Sequence, residues 1–165
     1  MNKSATFWLV RTALIAALYV TLTVAFSAIS YGPIQFRVSE ALILLPLWNH
    51  RWTPGIVLGT IIANFFSPLG LIDVLFGSLA TFLGAVAMVK VAKMASPLYS
   101  LICPVLANAY LIALELRIVY SLPFWESVIY VGISEAIIVL ISYFLISNLA
   151  KNSHFRKMIG AKNGI

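Results

Sequence analysis

The chain has 165 residues, of which 62% are hydrophobic and only 10% are charged, and its formal net charge is +6. Its mean hydropathy is +1.01, whereas a soluble domain has about 45–50% apolar and about 25% charged residues. A chain this apolar lacks the polar groups to cover its surface in water, which excludes a soluble globular protein and favours a membrane protein.

The apolar runs, taken in chain order, predict six helices in a single domain over 1–165. The first run is too long for the apolar region of a signal peptide, so we predict a retained first helix. Turn residues separate later runs, as at Ser67-Pro68-Leu69-Gly70. The predicted helices cover residues 7–30, 38–50, 53–66, 71–94, 98–121 and 125–150, and a basic cytoplasmic tail covers 151–165.

The second and third predicted helices are too short to cross about 30 Å of hydrocarbon as straight helices. They are either tilted or broken at a binding site, as transporter helices often are, or they form a tight hairpin buried among the longer spans. The sequence leaves both interpretations open.

The basic residues predict the orientation. If the N-terminus is cytoplasmic and all six segments cross, only Arg37 and Arg117 of the 11 lysines and arginines fall outside. This is a strong positive-inside bias. We therefore expect an all-α integral membrane bundle of six transmembrane helices with cytoplasmic N- and C-termini. The inner residues are Lys3, Arg11, Arg51, Lys90, Lys93, Lys151, Arg156, Lys157 and Lys162.

All 5 acidic residues and both outer arginines fall in the outer half or near the middle of the predicted helices. Charged groups at that depth are costly and usually face a cavity or a partner. The pattern therefore predicts a polar pocket that opens to the outside. The acidic residues are Glu40, Asp73, Glu115, Glu126 and Glu135.

Several of these polar residues also have structural interpretations. Arg37 and Glu40 would share one helix face, so they form either an intrahelical ion pair or a substrate contact. Asp73 would lie in the first turn of the fourth helix, where a carboxylate can cap the helix. Asn64 and Asn108 lie in apolar stretches and need hydrogen-bond partners, by default on another helix.

The sequence lacks the common motifs for ATP binding and hydrolysis. There is no G-x-x-x-x-G-K-[ST] loop for ATP and no H-E-x-x-H or G-x-S-x-G hydrolase motif. His50 and His154 have no neighbours at metal-ligand spacing, and Cys103 has no second cysteine to pair with. We therefore expect no enzymatic activity, no metal and no cofactor.

Three stretches carry a family resemblance: QFRVSEAL at 35–42, residues 59–64, and the pattern SPxGxxDxxxGS at 67–78. Together they resemble the QueT family. Those proteins are proposed substrate-binding S components of energy-coupling factor (ECF) transporters for queuosine precursors. The resemblance covers nearly the whole chain, from Arg11 to the sixth predicted helix.

The resemblance implies the six-helix S-component fold, a pocket near the outer surface and a location in the plasma membrane of a prokaryote. It also implies partners, namely a membrane coupling (T) subunit and two cytoplasmic ATPase subunits that hydrolyse the ATP. In that group of proteins a small-residue motif of the first helix contacts the coupling subunit, which maps here to Ala13 and Ala17. The S component is thought to topple in the membrane and carry its pocket to the cytoplasm.

The implied ligand is a 7-deazaguanine, either a nitrile or aminomethyl precursor or queuine. One carboxylate can accept both adjacent N–H groups of a guanine-like edge, and Glu40 is favoured over Asp73 and Glu115 for this role. The ring oxygen needs a donor and the flat ring an aromatic surface, for which Phe65 is a further candidate. The predicted substrate-binding residues are Arg37, Glu40, Asn64, Asp73, Asn108, Tyr110, Glu115 and Trp125.

Other functions remain open from the sequence. The chain could be an S component for another vitamin, or a standalone transporter in which Glu135 and Asp73 relay protons. A membrane enzyme is disfavoured because no set of nucleophile, base and orienting group is visible. A purely structural subunit would leave the outward clustering of ionisable residues without a reason.

Overall fold

The computed structural model describes residues 3–32 and 35–161, and Lys162 and the last residues of the predicted tail lie outside them. The described residues form helices and no strand. Among them, four stretches are long and apolar enough to cross a membrane: Ala5–Ala25, Leu71–Met94, Pro97–Tyr120 and Phe124–Leu149. The structure is therefore an all-helical bundle with four candidate membrane spans.

The helices are numbered in chain order, and two 3-10 helices, Val38–Leu44 and His50–Trp52, lead directly into α3 and α4. The α-helices are α1 (Lys3–Ala25), α2 (Ser27–Ser30), α3 (Leu45–Trp48), α4 (Thr53–Asn64), α5 (Leu71–Met94), α6 (Pro97–Ser100), α7 (Ile102–Tyr120), α8 (Phe124–Leu149) and α9 (Ser153–Ile159).

Local chain chemistry sets several of these boundaries. Pro54 lies in the first turn of α4, where its missing N–H costs no hydrogen bond. Gly70 precedes α5 with a φ of 66°, a conformation that favours glycine. Asn152 caps α9, because its side chain accepts a hydrogen bond from the His154 N–H at 2.8 Å.

Residues 38–50, for which the sequence predicts one helix, are not one regular helix. A 3-10 helix covers Val38–Leu44, α3 follows as a single turn, and Asn49 is extended. Pro46 lies at the start of α3 and cannot donate the backbone hydrogen bond that a continuous α-helix would need there. The proline thus divides the segment.

The helices pack in a ring. Helix α1 packs on α4, α4 on α5, α5 on α7 and α7 on α8, and the Val38–Leu44 helix contacts α8 and α1 and closes the ring. Ile43 and Leu44 are fully buried in the core. This segment is therefore enclosed by longer helices, as the buried-hairpin interpretation expects, whereas α4 exposes Leu58 and Ile62 on its outer face.

One end of the bundle, here called the basic end, is held together by backbone carbonyls near the C-terminus. The Trp52 indole donates to the Ile159 carbonyl at 2.8 Å, and the Asn49 amide donates to the Gly160 carbonyl at 2.9 Å. The Arg11 guanidinium lies 5.6 Å from the centre of the Trp52 ring. The starts of α1 and α4 therefore both meet α9 at this end, and the segment at 38–48 runs back between them.

Helices α1 and α4 approach each other closely at Gly59. A Cβ atom at Gly59 would lie 2.7 Å from the Tyr19 Cβ and 3.1 Å from the Ala16 Cα. Real Cβ contacts are not this short, and the clash is with atoms close to the backbone of α1. Only glycine fits this position without moving α1 away from α4.

We predict that Gly59→Ala lowers the stability of the purified chain by about 1–3 kcal/mol, because overpacking forces the two helices apart. Gly132→Ala is the matched control, since its Cβ would meet only an ordinary contact at 3.4 Å. The control should leave the melting temperature unchanged or raise it, because alanine favours a helix over glycine. Equal melting temperatures for both variants would contradict the close α1–α4 contact.

Candidate functional site

Polar side chains gather at the end of the bundle opposite the basic end. The Tyr31 hydroxyl donates to the Ala63 carbonyl at 2.5 Å, which joins the loop after α2 to the end of α4. The start of α5 reaches the same place through Asp73, whose backbone carbonyl accepts a hydrogen bond from the Asn64 amide at 2.8 Å. We call this region the polar end.

A buried ion pair lies at the centre of the polar end. The Arg37 Nη2 donates to both carboxylate oxygens of Asp73 at 2.9 Å. The Arg37 Nη1 donates to the Asn64 Oδ1 at 3.1 Å, and its Nε donates to the Ser30 carbonyl at 3.2 Å. Each nitrogen of the guanidinium therefore has a protein acceptor, as a buried charge requires.

This geometry differs from the two structural interpretations taken from the sequence. Arg37 pairs with Asp73 on another helix instead of with Glu40, because Arg37 has extended backbone and lies before the 3-10 helix that carries Glu40. Asp73 lies in the first turn of α5, but its carboxylate accepts from Arg37. The intrahelical ion pair and the helix cap are corrected to one ion pair between the loop before the 3-10 helix and the start of α5.

A small, partly open cavity lies beside this ion pair. Its volume is about 10 Å³, close to the space that one water molecule needs. Polar side chains from the loop before the first 3-10 helix, from α7 and from α8 converge on it. The lining residues are Gln35, Arg37, Glu40, Asn108, Ile112, Val131 and Glu135.

Several polar atoms at the cavity have no hydrogen-bond partner within the described protein. Both amide atoms of Gln35 and the Oε2 of Glu40 are buried and unpaired. The other Glu40 oxygen accepts from the Tyr19 hydroxyl, and the Glu135 carboxylate accepts from the Asn108 amide at 3.1 Å. Since an unpaired buried polar group costs about 1–3 kcal/mol, these atoms point to a polar ligand.

The backbone at Gln35 supports the same conclusion. Gln35 has a φ of 52°, which residues other than glycine adopt rarely. Such strained conformations are concentrated at binding and active sites, where the surrounding structure holds them in place. The Gln35 N–H donates to the Gly32 carbonyl at 2.9 Å, which helps to hold this turn.

Glu115 is buried, and neither of its carboxyl oxygens has a hydrogen-bond partner in the described part of the chain. This residue lies within electrostatic range of Asp73 and Arg37. It does not line the cavity, but it lies one helical turn after Ile112, which does. Glu115 therefore places a further unpaired carboxyl group near the ion pair.

The predicted aromatic candidates do not reach the cavity. Tyr110 is 46% exposed and Trp125 is 67% exposed, and their ring centres lie 6.5 Å apart on the outer surface of α7 and α8. Tyr110 is two positions after Asn108, and residues two apart on a helix face different directions. Phe65 is also exposed, at 60%.

The structure thus divides the predicted site residues into groups. Arg37, Glu40 and Asn108 line the cavity, whereas Asn64 and Asp73 lie behind Arg37 and hold it. The predicted substrate-binding residues do not include Gln35 and Glu135, which line the cavity, or Tyr19, which donates to Glu40. Gln35 begins the QFRVSEAL run, which is the signal that could have identified it, while Tyr19 lies in an apolar helix that gives no such signal.

Other predicted features can also be located. Ala13 and Ala17 are exposed and lie four residues apart on one side of α1, so a small-residue surface is available on this helix. Within residues 3–32 and 35–161, no group of three or more His, Cys, Asp or Glu side chains is arranged to hold a metal ion.

Comparison with known proteins identifies the family. The profile of the QueT transporter family matches residues 9–151. The Queuosine precursor transporter QueT of Lactococcus lactis subsp. cremoris (strain MG1363) is 47% identical over 83 residues, which cover 49% of this chain and 48% of that protein. The alignment thus spans about half the length of this curated relative, and no solved structure gives a significant match. With apolar helices throughout and a family match over most of its length, the chain is a multi-pass protein of the cell membrane and belongs to the QueT transporter family.

Proposed function

We propose that this chain is the substrate-binding S component of an ECF importer and that it takes up a queuosine precursor. The substrate would be a 7-deazaguanine, either a nitrile or aminomethyl precursor or queuine. The observation that carries the proposal is the small polar cavity, at which Gln35 and Glu40 present buried, unpaired hydrogen-bonding atoms. Membership in a transporter family and the name of the curated relative support the choice of ligand.

The chemistry of the cavity suits a guanine-like edge. Glu40 has one free carboxylate oxygen, and the oxygen that accepts from Tyr19 keeps a second lone pair. The carboxylate can therefore accept two adjacent ring N–H groups. The unpaired Gln35 amide supplies a donor for the ring carbonyl and an acceptor for a further N–H.

The charge of the cavity favours a cationic substituent. The positive charge of Arg37 is balanced by Asp73, so Glu40 and Glu135 contribute carboxylates without a cationic partner at the cavity wall. An aminomethyl group is cationic and can pair with the second carboxylate, for which we assign Glu135. In this arrangement Asn64 and Asp73 position Arg37, and the carboxyl group of Glu115 lies near them.

The cavity must open to admit a ligand. Its volume of about 10 Å³ is far below the roughly 300 Å³ at which small-molecule pockets begin. Opening would separate Glu40 from Tyr19 on α1, or Asn108 on α7 from Glu135 on α8. Ligand binding would thereby be coupled to movement of the helices that surround the site.

The proposed S component has six crossing segments with both termini in the cytoplasm. The alternating direction of the segments and the collection of lysines and arginines at the basic end support this topology. The exposed Ala13 and Ala17 of α1 would contact the coupling subunit. Two ATPase subunits would bind that complex on the cytoplasmic side and supply the energy for import.

We predict that Glu40→Gln weakens binding of a 7-deazaguanine by about tenfold to a hundredfold, because a charge-assisted pair of hydrogen bonds is lost. Glu126→Gln is the matched control, since Glu126 is exposed in the first turn of α8 and should bind as the parent does. Isothermal titration of the detergent-purified proteins measures both affinities. Parental affinity of Glu40→Gln would refute the assignment of Glu40.

A second prediction distinguishes a residue that binds the ligand from a residue that stabilises the fold. Gln35→Met should weaken ligand binding about tenfold without lowering the melting temperature, because the amide that it removes has no partner in the unliganded protein. Asp73→Asn should instead destabilise the fold by about 3–5 kcal/mol, because it leaves Arg37 as a buried, unbalanced charge. Thermal unfolding and ligand titration of both variants test this, and a large loss of stability in Gln35→Met would argue against a ligand role.

Uptake by whole cells tests the coupling. We predict that cells expressing the chain with a coupling subunit and two ATPases accumulate labelled 7-deazaguanine, and that cells expressing the chain alone do not. An inactive ATPase variant serves as the control. If the chain alone imports the compound and a protonophore abolishes that uptake, the result would instead support a proton-coupled transporter. Such a transporter would use the buried Glu115 and Glu135.

A further inference from the structure

A long groove runs between α4 and α5 on the outside of the bundle, remote from the polar cavity. Its volume is about 670 Å³. Leu58 and Phe82 at its edges are 41% and 45% exposed, so the groove faces the surroundings of the protein. The lining residues are His50, Thr53, Pro54, Val57, Leu58, Ile61, Phe82, Val86, Val89, Lys90 and Lys93.

The apolar part of this groove is continuous along both helices. On α4 the lining positions 54, 57, 58 and 61 follow the spacing of one helix face, and on α5 positions 82, 86, 89, 90 and 93 do the same. From Phe82 to Lys93 the groove extends about 16 Å along α5. That length matches about half of the roughly 30 Å hydrocarbon core, which is the depth of one leaflet.

The polar residues of the groove all lie at the basic end. Lys90 and Lys93 are exposed and share one face of α5, and His50 lies across from them at the start of α4. The acidic residues of the chain lie elsewhere: Glu40, Asp73 and Glu115 are buried at the polar end, Glu126 starts α8 and Glu135 lines the cavity. The two lysines therefore have no described carboxylate to balance them.

We propose that this groove binds an anionic phospholipid, with one acyl chain along α4 and α5 and the phosphate between Lys90 and Lys93. Basic pockets between transmembrane helices are typical sites for anionic headgroups. A soluble anion would leave the apolar length of the groove unfilled, and a neutral lipid would leave the lysines without a counter-charge. The groove combines an apolar surface as long as one leaflet with two lysines at one end. An anionic lipid matches both features.

The test compares two lipids with identical acyl chains on the detergent-purified full chain. Phosphatidylglycerol should raise the melting temperature more than phosphatidylcholine, and native mass spectrometry should show it bound in preference. The double variant K90Q/K93Q should lose about thirtyfold in phosphatidylglycerol affinity, as expected for two lysines near a lipid surface. The control K151Q/K157Q removes two exposed lysines outside the groove and should keep the parental affinity.

A second variant tests the apolar part without changing charge. Val57→Phe combined with Val86→Phe fills the groove and should weaken phosphatidylglycerol binding while the lysines remain. Equal stabilisation by the two lipids would overturn the proposal, as would an equal loss of affinity in both lysine double variants. If neither lipid changes the melting temperature, the proposal is also overturned. A helix of a partner protein would then be the expected occupant of the groove, and cross-linking from position 57 would identify it.

Discussion

The ion pair between Arg37 and Asp73 is the interaction on which the polar end depends. Burying two charges in an apolar bundle is costly, and the pair is tolerated only because further hydrogen bonds satisfy it. Asn64 bonds to both members, and the Ser30 carbonyl accepts the remaining guanidinium nitrogen. The contact therefore joins the loop before the first 3-10 helix to the end of α4 and the start of α5, and fixes the segment that carries the binding residues.

The same pair explains why the neighbouring cavity is suited to a ligand. Because Asp73 balances Arg37, free hydrogen-bonding capacity at the cavity remains with the Gln35 amide and the Glu40 Oε2, which have no partner in the described protein. The hydrogen bonds of Arg37, Asp73 and Asn64 are satisfied, and these residues hold the structure. Gln35 and Glu40 instead keep atoms free for the proposed ligand. The groove between α4 and α5 lies on the outside of the bundle near its other end, so the proposed lipid site and the proposed substrate site are on different surfaces.

Much of the fold follows from local sequence, whereas the site depends on contacts that local sequence does not encode. Long apolar runs define α5, α7 and α8 because a helix in lipid must satisfy its own backbone. The partner of Arg37 is 36 residues away, and nothing near Arg37 distinguishes Asp73 from Glu40 as that partner. Tyr110 is a good aromatic candidate by composition, but the direction that it faces on α7 takes it away from the cavity. The role of Tyr19 becomes visible only when α1 is placed against Glu40.

The most direct test of the central claim is the thermal stability of the purified chain with a panel of ligands. The panel contains the nitrile and aminomethyl 7-deazaguanines, queuine, guanine, riboflavin, thiamine and biotin. A ligand that binds only the folded state stabilises it by about 2.7 kcal/mol at a hundredfold excess over Kd. We predict a clear rise in melting temperature with the 7-deazaguanines, largest with the aminomethyl form, and none with the three vitamins. A rise with a vitamin alone, or with no compound in a folded sample, would contradict the account of this site.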